Sequence, residues 1–188
     1  VVQKSIAELD AHAAQMDLMG LPVSPQAKIN IHIGGAYGEH DKALARFCNN
    51  FKRLAPSTQA RLTVENDDRQ SMFSTKMLYD GVSKHIGVPI VFDSHHHDLG
   101  PQDLDYHDAF HLARQTWDAR GVKQQCHHSN SRKDYEDPSV KATAHSDWYY
   151  TPFEAYGKDV DVVLECKKKE QALFKYREDF QKKILTAA

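Results

Sequence analysis

The feature that most constrains the fold is a fivefold alternation of short, β-branched apolar runs with longer amphipathic stretches. The apolar runs fall at 28–33, 61–66, 88–93, 122–129 and 160–165. They are too short for helices and read as strands. The stretch 89–92 (Pro89, Ile90, Val91, Phe92) has no polar alternation, which predicts a strand buried on both faces, as in a parallel sheet. Between the runs the spacing turns helical. Ile6, Leu9, Ala13, Met16 and Met19 predict a helix over 4–19, and Leu44, Phe47, Phe51 and Leu54 predict one over 41–54, stopped by Pro56. Further helices are expected at 74–86, 106–120 and 167–180, with Gly20, Gly87 and Gly121 as helix stops. Strand–helix alternation predicts an α/β fold with parallel strands and right-handed crossovers.

A chain of 188 residues is one domain, here 1–188, with a tail at 185–188 expected to be disordered. The net charge of −2 offers no global basic field, so a nucleic-acid contact must come from a local patch. Three widely spaced cysteines fit neither a zinc ribbon nor a disulfide framework, which suits a reducing compartment: the cytoplasm, at the nucleoid, or the nucleus of a eukaryote. No apolar run approaches the roughly 20 residues of a membrane span, so no membrane partner is expected. The chain opens on Val1, and a segment upstream of it is expected.

The compositional oddity is twelve histidines, and their placement carries the functional reading. His32, Glu65, Asp93 with His95, His96 and His97 behind it, His127, and Glu165 lie at or just past the ends of successive strands. In parallel α/β architectures that edge is where sites form. Each residue alone reads equally well as a capping or hydrogen-bonded polar group. As a set they point to metal, because a carboxylate directly after apolar residues is costly unless paired. Imidazole and carboxylate donors without cysteine favour zinc or manganese. Several bridging carboxylates suggest two or three divalent ions. Such clusters serve phosphoryl hydrolysis, one ion acidifying water and others stabilising the phosphate and leaving oxygen.

Five segments, in order, resemble the UV damage endonuclease family. They are 29–38 (from Ile29 through His32 to Gly38), 62–68 (with Glu65), 91–97 (with Asp93), 144–147 (with His145) and 165–172 (from Glu165). The resemblance implies a TIM barrel related to the endonuclease IV type, a cluster of divalent metals, commonly Mn2+, and nicking of damaged double-stranded DNA on the 5′ side of ultraviolet photoproducts. It implies that His32 and Glu65 bind one metal, with Glu65 bridging to a second held by Asp93, His127 and Glu165. His96 and His145 would bind a third, because Asp-x-x-His is the family spacing. Glu65, Asp93 and Glu165 are the expected catalytic carboxylates, and His95 and His97 become supporting or surface residues. Tyr37, Lys123, Arg132, Lys133 and Lys141 are candidate DNA contacts.

Three departures accompany the resemblance. Ile33 stands where proline is usual, and Gln125 stands where many members have a modified lysine. The match also covers only the last five strand–helix units, so a partial barrel lacking its N-terminal strands is expected, completed by an upstream segment or a second chain. A full barrel typically needs about 250 residues. Two other readings accompany the nuclease: an incomplete, non-catalytic module that binds DNA or a partner, and a metal-dependent sugar isomerase or epimerase of related barrel type.

Overall fold

The computed structural model describes residues 1–181; the expected disordered tail at 185–188 lies outside them. Helix α1 (Val2–Leu18) leads to β1 (Ile29–Ile31). Then follow α2 (His40–Phe51), α3 (Pro56–Arg61) and β2 (Leu62–Glu65). Helix α4 (Thr75–Leu78) continues through a π turn at Tyr79–Ser83 into α5 (Lys84–Ile86), and β3 (Ile90–Asp93) comes next. After it stand α6 (Ser94–Leu99), α7 (Tyr106–Asp118), β4 (Gln125–His128) and α8 (Arg132–Tyr135). The last elements are β5 (Asp161–Leu164) and α9 (Lys169–Tyr176), which runs into a π turn at Arg177–Gln181.

The five strands pair in sequence order, all parallel, as a curled half-barrel. The parallel strands expected from the alternation and the partial barrel implied by the resemblance are the observed architecture. β3 is buried along its whole length, as its unbroken apolar run predicts, and so is β2, whereas every second residue of the outer strand β5 is exposed.

Strand period two divides the residues between the faces. Val64, Ile90, Phe92 and Cys126 point outward into an apolar core with Leu44, Val82, Ala109, Phe110 and Ala113 of the helices. Trp117 of α7 is fully buried and donates its indole N–H to the Ile90 carbonyl at 2.7 Å. A second cluster seats α1 on the sheet, joining Ile6 and Ala13 to Ile29, Leu54 and Leu62. The buried Arg61 guanidinium reinforces it, reaching Asp17 at 2.7 Å and the Leu21 carbonyl at 2.9 Å.

The inner face is polar. Lys28 donates to Gln125 at 2.7 Å, and Thr63 donates to Asn30 at 2.9 Å. His32, Glu65, Asp93, His127 and Glu165 lie two positions further along their strands or just past them.

Three elements differ from the sequence reading. The expected helix 74–86 is broken by its π turn, where Gly81 packs directly on Leu44 and leaves no room for a Cβ. α3 is too short to show a period. α6 forms where a histidine-rich turn was expected, because Asp93 caps it, accepting from the His96 N–H at 2.9 Å.

Candidate metal centre

The parallel register brings the strand-end residues together. Asp93 and His127 are direct neighbours across β3 and β4, and the end of β2 lies alongside. Glu65 is the hub. Its Oε1 lies 3.1 Å from His96 Nδ1 and 3.7 Å from His32 Nε2. Its Oε2 lies 3.3 Å from His127 Nδ1, and His127 Nδ1 is also 3.3 Å from Glu165 Oε1. Two metal-sized groups result, His32–Glu65–His96 and Glu65–Asp93–His127, with Glu65 in both.

The Asp-x-x-His spacing has a local cause. Asp93 Oδ1 caps α6 through the His96 amide, so the cap places the imidazole three residues on beside the strand end. That leaves Asp93 Oδ2 buried and, among the described residues, without a hydrogen-bond partner. Orphaned buried polar atoms of this kind call for an explanation, and a shared cation in a nest of imidazoles and carboxylates provides one. The donor set therefore fits divalent metal.

The electrostatics agree. Burial alone would raise the Glu65 pKa, but hydrogen bonds from His127 and His96, with the charges of His127 and His32, hold it well below the usual carboxylate range. Burial opposes protonation of His96, yet the Glu65 hydrogen bond and the Asp93 and Glu65 charges push its pKa up to about 9. His127 is raised the same way against its burial. Without metal, protons take the place of cations in this nest.

His145 stands at the margin. It belongs to neither compact group, and its ring centroid is 6.3 Å from that of His96 and 5.3 Å from that of His95. Its Nδ1 lies 2.9 Å from the Glu165 carbonyl, leaving Nε2 unengaged. His96 thus groups with His32 and Glu65. His95 and His97 are both buried, so the surface alternative for them is wrong. Burial lowers the pKa of each.

The expected DNA contacts divide. Tyr37 is 92% exposed, with φ of +48° in the glycine turn after β1. Lys133, on α8, and Lys141, on the loop beyond it, are exposed, while half-buried Arg132 braces Glu136 and Asp147. Lys123 precedes β4, at the opposite edge from the site, and pairs with Asp159 and Asp161 at 2.8 Å each. Position and pairing both remove it from this rim.

Sequence reasoning missed two supporting residues. Asn66 exchanges two 2.9 Å hydrogen bonds with the Asp93 backbone and ties the end of β2 to that of β3. Asn30 is held by Thr63 so that its amide N–H donates to Glu65 Oε2. Their only sequence signal is position: Asn66 follows Glu65, and Asn30 precedes His32 by one inward-facing step. At Gln125, the carboxamide accepts from Lys28 of the neighbouring layer.

The chain as a whole has known relatives. The family model described as UV-endonuclease UvdE matches residues 1–187. The chain belongs to that family. It is 32% identical over 183 residues to a UV DNA damage endonuclease of Bacillus pumilus, covering 95% of this chain and 56% of that one. It is 33% identical over 181 residues to a UV-damage endonuclease of Schizosaccharomyces pombe, covering 93% and 30%. The crystal structure of SacUVDE superposes with a TM-score of 0.79 at 29% identity, over 96% of this chain and 59% of that one. The chain therefore spans about half the length of its bacterial relative. Cys48, Cys126 and Cys166 are free, and among the described residues no helix is long and apolar enough to cross a membrane.

Proposed function

We propose that this chain carries the metal-binding half of a DNA repair endonuclease that nicks the phosphodiester 5′ of ultraviolet photoproducts in duplex DNA. The observation that carries the reading is the double membership of Glu65 in two histidine–carboxylate groups at the end of a parallel sheet. His32, Glu65, Asp93, His96, His127, His145 and Glu165 would hold two or three divalent ions, manganese or zinc. Bound there, such ions would acidify an attacking water and stabilise charge on the phosphate and the leaving oxygen.

The protein side of the chemistry is positioning. Asn30 and Asn66 fix the Glu65 carboxylate and the Asp93 backbone. The depressed pKa of Glu65 keeps it anionic at neutral pH, so it need not shed a proton to bind. Burial of Asp93 and His127 keeps bulk water from competing for those donors.

The test joins the chain to the segment that completes the barrel and supplies ultraviolet-irradiated duplex DNA with Mn2+. Incision beside photoproducts is expected, and intact incision by Glu65→Gln or Asp93→Asn would overturn the assignment. A second reading, a non-catalytic binding module, draws on the half-length match to relatives. It predicts lesion binding without incision in every reconstituted form. Family membership speaks against the sugar isomerase.

A further inference from the structure

The segment between β4 and β5, which carries His145, also holds an aromatic pair that no part of the proposed metal site uses. The rings of Tyr135, on α8, and Tyr150 are stacked, with centroids 4.6 Å apart and planes 5° from parallel. Both side chains are exposed, so the pair buries one face of each ring against the other and leaves aromatic surface open to solvent.

The pair is rigidly mounted. The Tyr150 N–H donates to Asn130 Oδ1 at 2.9 Å, and its hydroxyl donates to Glu136 Oε1 at 2.9 Å. The same Glu136 carboxylate accepts from the backbone N–H of Asp147 and Trp148. Arg132 lies 3.7 Å from Glu136 and 3.5 Å from Asp147. The acids closest to the pair are thus engaged by backbone donors and a guanidinium, although Asp134 stays exposed.

Three lysines adjoin this mount. Lys167 and Lys168 hang by backbone hydrogen bonds on the Ser146 and Asp147 carbonyls, at 3.0 and 3.1 Å, and Lys169 opens α9 with φ of +48°. All three are exposed, and among the described residues none makes an ion pair. Lys168 Nζ stands over the Trp148 ring at 6.0 Å. Lys167 follows the site residue Glu165 by two positions.

From this we infer that the stacked Tyr135–Tyr150 pair and Lys167, Lys168 and Lys169 form a DNA-docking surface flanking the metal centre. The lysines would neutralise phosphates next to the one attacked, and the tyrosine faces would receive a base displaced from its stack. The chemistry is that of nucleic-acid grooves, in which cations track the backbone and aromatic faces accept bases. The inference rests on the endonuclease reading for its choice of partner.

The test measures equilibrium binding of the full chain to a fluorescent, ultraviolet-irradiated duplex in EDTA, so that binding is read apart from incision. Replacing both Tyr135 and Tyr150 with alanine is expected to weaken binding about tenfold or more. Tyr135→Phe, which keeps the stacking face, is expected to bind as the parent does. Replacing the three lysines with glutamine is expected to lower the slope of log affinity against log salt by about 3. Mn2+ affinity should be unchanged in all these variants, and a binding loss counts only where far-ultraviolet circular dichroism shows the variant folded as the parent is. Unaltered affinity and salt slope, or a parent chain that does not bind the duplex at all, would overturn the surface even if incision were demonstrated. Conversely, binding lost as expected alongside no incision by the completed barrel would leave the surface standing and remove the endonuclease reading.

Discussion

His96 Nδ1 lies 3.1 Å from Glu65 Oε1, although 31 residues separate the two in sequence. The contact is made by the cap of α6, which swings the imidazole over the end of β2. Because the other carboxylate oxygen of Glu65 faces His127, one side chain connects both donor groups. Glu65→Gln is therefore expected to disrupt both groups at once. Calorimetric titration with Mn2+ should show fewer bound ions than in the parent, whereas His32→Ala should weaken binding with a smaller loss.

Asn30 donates to Glu65 and Thr63 holds the Asn30 amide, so together they set how the Glu65 carboxylate is held. Asn30→Leu removes the donor, and Thr63→Val releases the Asn30 amide from its orientation. Loss of such a supporting hydrogen bond typically costs about 10–100-fold in metal affinity. That drop is expected for Asn30→Leu, with a milder one for Thr63→Val. Equal affinity in all three proteins would show that Glu65 needs no such support.

His96 gives the metal-free chain a definite pH response. Its pKa rises from an ordinary 6.5 to about 9, so the folded state binds the proton more tightly than the unfolded state. The resulting stability is complete below about pH 6.5 and is lost as pH climbs through about 9. In EDTA, the melting temperature should fall across that interval. Metal competes with the same proton, so apparent Mn2+ affinity should rise over the interval, with proton release on binding. A melting temperature flat from pH 6.5 to 9 in EDTA would contradict the contact.

Gly100 closes the loop after α6 against the Asp67 backbone carbonyl, with no room for a Cβ. Neither neighbour at that point is a flexible side-chain tip: the contacts are the backbone oxygens of Asp67 and His96. Gly100→Ala must displace the loop after β2, at a cost of about 1–3 kcal/mol. Chemical denaturation should show the loss. Metal affinity should also fall, because that loop includes Asn66, which braces Asp93.

The outward faces of the strands were legible in the sequence. Val64, Ile90, Phe92 and Cys126 carry an apolar signal strong enough to place the strands, and the glycine stops were equally plain. Gly87 and Gly121 both take positive φ after their helices, as a C-terminal cap requires. The short helices were not legible. α6 is four-sixths histidine and aspartate and forms because Asp93 caps it; its composition alone gave no helical period. The π turn at Tyr79–Ser83 is where Gly81 meets Leu44, 37 residues earlier, a contact that no local window contains.

The candidate site divides along the same line. Local apolar runs alone showed which donors exist and that all but His145 stand at or just past a strand end. Tertiary structure decided which donors meet: register puts Asp93 beside His127, and the α6 cap brings His96 to Glu65. It also withdrew Lys123 to the far edge in ion pairs with Asp159 and Asp161, and buried His95 and His97. The physical reason is range. Periodicity and capping act over a few residues, whereas register, burial and ion pairing join residues that the chain holds far apart.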